Sequence, residues 1–150
     1  MLAHPVSEAM IADCLSRLVK SGWLAFATSS LSPSGRLRER AYGVCDVLAI
    51  HERERQALGI TVMRAGANSD PRWNVVPDVL RSPFVRAWLG NGGHAWEIWT
   101  ISRGSRRDSF EVNRSPVYAA SLDFRLTPPS WPRGRQSRQT AGRRRKHVLT

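Results

Sequence analysis

Residues 45–66 read CDVLAIHERERQALGITVMRAG and decide the fold, because two apolar runs flank a short charged segment. The first run follows Asp46, and the second, residues 59–63, ends at Arg64. Both runs are rich in branched and apolar residues, which favour β-strands, and the charged segment between them is typical of a turn. The stretch therefore predicts two adjacent strands, the first of them led by an aspartate.

A helix is predicted near the N-terminus, in the segment PVSEAMIADCLSRLVKSGW. Ser7 is suited to cap this helix, and the acidic Glu8 is favourable in its first turn. An apolar stripe at helical spacing follows, made of Ile11, Leu15, Leu18 and Val19. Because residues seven apart on a helix face nearly the same way, we expect Glu8 at the rim of this buried stripe.

Three further elements are predicted along the chain. Residues 23–29 have the composition of a strand, residues 82–93 resemble a short helix that starts at a proline, and residues 94–117 resemble a hairpin. Trp96 and Trp99 cannot share one face of a regular strand, so at least one of them is expected in the core. The whole pattern predicts an α/β fold with a small mixed β-sheet and a packed N-terminal helix.

The positive charge of the chain is concentrated at its C-terminal end. The net charge is +11 over 150 residues, and the bases are 21 arginines and 2 lysines. Residues 1–124 hold fifteen bases and twelve acids, whereas no acid follows Asp123. We therefore divide the chain into a domain, residues 1–126, and a basic tail, residues 127–150, that is expected to be disordered. The tail bases expected to contact nucleic-acid phosphates are Arg133, Arg135, Arg138, Arg143, Arg144, Arg145 and Lys146.

The remaining composition predicts an intracellular protein. Cys14 and Cys45 have neither metal-ligand spacing nor a disulfide framework, so both are expected to be small core residues. No run approaches the length of a membrane span, and the N-terminus lacks the pattern of a secretory signal. A cytoplasmic location without membrane contact is the expectation, and the sequence leaves the oligomeric state open.

The order of helix, strand, aspartate-led strand and second strand resembles the PD-(D/E)XK nuclease superfamily. The likeness is to its small members of the Holliday-junction-resolvase and VRR-Nuc types, and it covers roughly residues 6–64, with a looser extension to about residue 115. It implies a restriction-endonuclease-like fold in which Glu8 and Asp46 are catalytic residues and ligands of a metal ion. Mg²⁺ is the cofactor implied, because such enzymes hydrolyse phosphodiesters with a metal-activated water.

The second strand departs from the family pattern. Aligning GITVM with the strand that carries the acid and the lysine places Thr61 at the acid and Met63 at the lysine. A threonine does not supply the charge of a carboxylate, and a methionine holds no proton. The sequence therefore predicts a nucleic-acid-binding protein that resembles a nuclease with a degraded metal site, inactive or weakly active. Two alternatives stay open: a small basic nucleic-acid-binding protein without enzyme ancestry, and a short reading frame with no defined biochemical role.

Overall fold

The computed structural model describes residues 6–33, 38–92 and 94–122. These residues form a mixed α/β structure, and none of their helices is long and apolar enough to cross a membrane. The tail, residues 127–150, lies outside the described residues, so the predictions for it stay predictions. The helices are α1 (Glu8–Lys20), α2 (Val76–Arg81) and α3 (Pro83–Gly90). The strands are β1 (Trp23–Ala27), β2 (Ser30–Leu31), β3 (Arg38–Glu39), β4 (Val47–His51), β5 (Gln56–Arg64), β6 (His94–Arg103) and β7 (Phe110–Pro116).

Five strands form the main sheet, in the order β1-β4-β5-β6-β7. Strands β4 and β5 are antiparallel neighbours, which confirms the pair predicted from residues 45–66. Strand β6 lies parallel to β5, and β7 returns antiparallel to β6 as the predicted hairpin. Strands β2 and β3 form a separate two-stranded sheet from the polar segment between β1 and β4. The prediction of a small mixed sheet with an N-terminal helix is therefore confirmed.

Helix α1 covers one face of the sheet through most of its predicted apolar stripe, whereas Val19, the last residue predicted for the stripe, is 61% exposed. Ile11 and Leu18 are buried and Leu15 packs against the same cluster, together with the sheet residues Val47 and Ile60. The hydroxyl oxygen of Ser7 accepts a hydrogen bond from the backbone N–H of Met10, which satisfies one free donor of the first turn. Burial of the stripe, rather than helix propensity alone, stabilises a helix of this length.

Helices α2 and α3 cover part of the opposite face. Trp99 is buried on the α1 side and Trp96 on the α3 side, so both tryptophans are core residues, one on each face. Trp96 pairs across the sheet with Gly59, and a Cβ at Gly59 would lie 2.3 Å from the indole ring. The glycine inside β5 is therefore explained by the close approach of this ring.

Both cysteines are buried and free, as the sequence predicts. Burial raises the pKa of the Cys14 thiol to about 12, with smaller contributions from the negative charges of Asp13 and Asp46, and burial also raises the pKa of Cys45. Both thiols therefore stay protonated and shielded at mildly alkaline pH. We expect no reaction of the native protein with a disulfide-exchange reagent at that pH and two reactive thiols after unfolding in urea. Rapid labelling of the native protein would contradict this burial.

Candidate functional site

Asp46 is a buried ion-pair partner at the start of β4. Its side chain is 0% exposed, and its Oδ2 accepts hydrogen bonds from Arg40 Nε at 2.8 Å and from the backbone N–H of Val62 at 2.7 Å. Its Oδ1 has no hydrogen-bond partner among the described residues. Arg40 also donates from Nη2 to the carbonyl oxygen of Val62, so one guanidinium joins the aspartate to the neighbouring strand.

Thr61 lies beside Asp46, as the alignment with the nuclease pattern requires. Val47 pairs with Ile60 in the antiparallel ladder, so Asp46, one residue earlier, stands opposite Thr61. The buried Thr61 hydroxyl donates to the carbonyl oxygen of Val44 at 2.5 Å and accepts from Trp96 Nε1 at 3.1 Å. Its hydrogen-bonding capacity is therefore used within the core.

Glu8 also has an arginine as its partner. Its Oε1 accepts a hydrogen bond from Arg38 Nη1, although the Glu8 side chain is 63% exposed and that of Arg38 only 2% exposed. Arg38 donates further to the hydroxyl and the carbonyl oxygen of Ser29, at 3.0 and 2.9 Å. Glu8 therefore lies at the surface, where its carboxylate contacts the guanidinium of the buried Arg38. It is more exposed than the position at the rim of the apolar stripe that the sequence predicts.

These residues do not fit a divalent metal ion. Each carboxylate proposed as a ligand is held by a guanidinium, and Asp46 is sealed from solvent behind Arg40. Within residues 6–33, 38–92 and 94–122, no group of three or more His, Cys, Asp or Glu side chains is placed to hold a metal ion. A hard cation needs several oxygen ligands, so two separately neutralised carboxylates do not form a Mg²⁺ site.

A cleft of about 530 Å³ opens beside the two ion pairs, and we call it the first cleft. Its walls are formed by α2, the segment that precedes α2, and the ends of β3 and β5. The arginines that line it are Arg38, Arg40, Arg64, Arg72 and Arg81, and among the described residues Asp78 is its one acidic lining residue. This side chain set is suited to an anion.

A second cleft, of about 420 Å³, lies on the other side of Arg64. It is formed by the start of α1 and the β6–β7 turn, and its arginines are Arg64, Arg103, Arg106 and Arg107. Arg64 and Arg103 lie at the same edge of the sheet because they end the parallel strands β5 and β6. The shared Arg64 joins the two clefts into one basic surface along this edge.

Five of the arginines that line the two clefts have no carboxylate partner among the described residues. Arg38, Arg40 and Arg72 form ion pairs with Glu8, Asp46 and Asp70. The arginines without such a partner are Arg64, Arg81, Arg103, Arg106 and Arg107. Residues 1–124 carry a net charge of only +3. These guanidiniums therefore concentrate positive charge locally, which the net charge alone does not reveal.

Sequence reasoning missed this basic surface, because its members are single arginines spread over more than forty residues. The signal that was available is positional: Arg64 and Arg103 each follow an apolar strand. Two parallel strands carry their C-terminal residues to the same edge, where ligands of such sheets commonly bind. The parallel pairing of β5 and β6 was not predicted, and the convergence was missed with it.

No protein-family model, curated protein or solved structure matches this chain.

Proposed function

We propose that this chain binds nucleic acid through the two arginine clefts that meet at Arg64, and that it does so without a metal ion. The observation that carries the proposal is that five arginines without carboxylate partners among the described residues line the two clefts that meet at Arg64. Guanidinium groups match phosphate oxygens in geometry, keep their charge at all relevant pH values and give up less hydration than an ammonium group. A polyanionic backbone satisfies several such groups at once.

The element order supports an origin in the PD-(D/E)XK superfamily. Helix α1, strand β1, the aspartate-led β4 and then β5 occur in this order, with the separate two-stranded sheet of β2 and β3 between β1 and β4, and Asp46 lies next to Thr61. In this proposal the carboxylates of the ancestral site persist, but Arg38 and Arg40 supply the positive charge beside them. A guanidinium activates no water for attack on phosphorus, so binding is proposed without hydrolysis.

The tail and the clefts are separate candidates for phosphate contact. The tail bases are a prediction from composition, whereas the cleft arginines are held at the edge of a folded sheet. We propose that the clefts position the nucleic acid and that the tail adds charge. Packing of α2 and α3 on the sheet supports a folded binding protein over the alternative of an unselected reading frame.

Replacing Arg64 with glutamine in the full chain tests the proposal, with Arg53→Gln as the matched control. Arg53 is exposed in the β4–β5 turn, at the opposite end of β4 from Asp46. Each of the two variants loses one positive charge. We expect Arg64→Gln to weaken binding of a fluorescent oligonucleotide about fivefold to tenfold at about 0.1 M salt. Its log affinity should also fall with log salt less steeply, by about 0.7–0.9 in slope.

The control separates a specific cleft from general attraction to a basic protein. Arg53→Gln is expected to change affinity less than twofold, because long-range attraction at the surface is screened within about 10 Å. Equal losses in the two variants, or no loss in Arg64→Gln, would overturn the cleft as the binding site. Binding that requires Mg²⁺ or Mn²⁺ would overturn the metal-free part of the proposal.

A further inference from the structure

Tyr42 is a bulky aromatic residue in a backbone conformation that such residues rarely adopt. Its φ is 53°, and the next residue, Gly43, has a φ of 73°. The backbone N–H of Val44 donates to the carbonyl oxygen of Ala41, which closes a tight turn with two positive-φ residues at its centre. Asparagine, aspartate and glycine are the residues that suit this turn. A tyrosine there is strained, and strain of this kind is retained at functional positions.

The ring of Tyr42 is fixed on one face and open on the other. It stacks on Phe84 with ring centroids 4.2 Å apart and planes 7° apart. Phe84 in turn packs edge-to-face on the buried Trp96, so the inner side of the stack contacts the core. Tyr42 is nevertheless 74% exposed, which leaves its outer face to solvent.

The stack is connected through the backbone to two arginines of the first cleft. Arg40 is two residues before Tyr42, and its carbonyl oxygen accepts a hydrogen bond from the backbone N–H of Gly43 in the same turn. Arg81 is three residues before Phe84, and both Arg40 and Arg81 line the first cleft. Both rings of the stack are therefore attached to backbone that also carries a cleft arginine.

We propose that Tyr42 is a stacking platform for an unpaired nucleobase, and that the ligand of the clefts is single-stranded nucleic acid. This inference rests on the proposed function. Proteins that bind single strands combine a basic groove for the backbone with aromatic faces for the bases, and every base has a face that can stack. In a duplex the faces of the bases are already stacked on one another, so only a single strand or an unpaired end can use this ring.

The variant Tyr42→Asn tests the platform without threatening the fold. Asparagine suits a positive φ, so the change removes the ring and relieves the backbone strain. In the full chain we expect roughly 5- to 150-fold weaker binding of a labelled single-stranded oligonucleotide. The dependence of affinity on salt should keep its slope, because no phosphate contact is lost. Tyr42→Phe keeps an aromatic face and is expected to bind like the unmodified protein.

Two probes separate stacking from other roles of the residue. A duplex of the same sequence should bind the unmodified protein and Tyr42→Asn equally well. A single strand that lacks its bases should bind the unmodified protein no better than it binds the variant. Unchanged single-strand affinity in Tyr42→Asn, or equal losses on duplex and single strand, overturns the platform.

Failure of this inference is distinguishable from failure of the proposed function. If Arg64→Gln weakens binding while Tyr42→Asn does not, the clefts hold nucleic acid and the stacking platform is wrong. If neither variant weakens binding, the clefts themselves are not the site. Thermal unfolding of Tyr42→Asn at or above the temperature of the unmodified protein is the check that the fold is retained.

Discussion

Replacing Asp46 with alanine is expected to lower the free energy of unfolding by about 3–5 kcal/mol. The change removes both acceptor contacts of Oδ2, so the backbone N–H of Val62 loses its acceptor and the guanidinium of Arg40 keeps only the carbonyl oxygen of Val62. Arg40 is 18% exposed and is able to turn partly toward solvent, which favours the lower end of this range. A loss of this size should reduce the melting temperature by roughly 10–20 °C for a chain of this length.

The double variant Arg40→Met with Asp46→Leu shows whether the loss comes from an unpaired charge. Apolar residues of similar size leave no buried ion, but the backbone N–H of Val62 still lacks its acceptor, so the double variant should recover only part of the lost stability. Asp78→Asn is the control, because Asp78 is exposed on α2 and forms no ion pair among the described residues; its effect should stay within about 0.5 kcal/mol. A melting temperature unchanged by Asp46→Ala would show that the ion pair is not structural. Stabilisation of the unmodified protein, but not of this variant, by Mg²⁺ would identify Asp46 as a metal ligand instead.

Introducing a glutamate at Thr61, together with Met63→Lys, is expected to destabilise the fold rather than to restore a nuclease. Thr61 is fully buried and its hydroxyl is hydrogen-bonded to Val44 and Trp96. A glutamate there would place a second carboxylate beside Asp46 in a site closed to water, at a cost of several kcal/mol. We therefore expect a large loss of thermal stability and no cleavage of nucleic acid with Mg²⁺ or Mn²⁺, in the double variant as in the unmodified protein.

Two single variants measure how much the Thr61 hydroxyl contributes to stability. Valine has nearly the same shape as threonine, but Thr61→Val leaves the carbonyl oxygen of Val44 and the Nε1–H of Trp96 without this hydrogen-bond partner. The loss should lower the free energy of unfolding by about 1–3 kcal/mol. Thr61→Ser keeps the hydroxyl and is expected to cost less. If Mg²⁺ at about a hundred times its dissociation constant raised the stability of the glutamate–lysine variant by about 2.7 kcal/mol, the ancestral metal site would still be intact beneath Arg40. Metal-dependent cleavage by the unmodified protein, lost in Asp46→Ala, would contradict both the metal-free proposal and the alignment of β5.

The sequence was sufficient to predict the pairing of β4 with β5, the helix α1 and the position of Thr61 next to Asp46. The first two features depend on the spacing of apolar residues within one element and on a turn of a few residues, whereas the third came from aligning GITVM with the nuclease resemblance. Neighbours along the chain remain neighbours in the fold at that scale, so the pattern can be read without tertiary information. The same reasoning predicted the buried cysteines, because small apolar side chains at core positions have few alternatives.

Only the tertiary structure decided which charges are paired. Arg38 lies 30 residues from Glu8 along the chain, yet it forms the ion pair that holds this glutamate. Arg38 and Arg40 come from the polar segment between β1 and β4, whose composition predicts a hairpin loop or an exposed edge. The resemblance to the nuclease family implied one site for the two carboxylates, but the sequence did not reveal the guanidinium that pairs with each of them. An ion pair forms only between side chains that lie close in space, and these distances are set when the strands pair into the sheet.

The basic surface and the aromatic stack have the same origin. Arg64 and Arg103 reach one edge because β5 and β6 run parallel, a pairing that requires the intervening helices to cross over the sheet. Tyr42 and Phe84 are 42 residues apart and meet because a strained turn and a helix lie side by side over Trp96. Hydrophobic periodicity predicted the main elements of this protein, whereas the long-range packing of those elements determined where the arginine clefts and the aromatic stack lie.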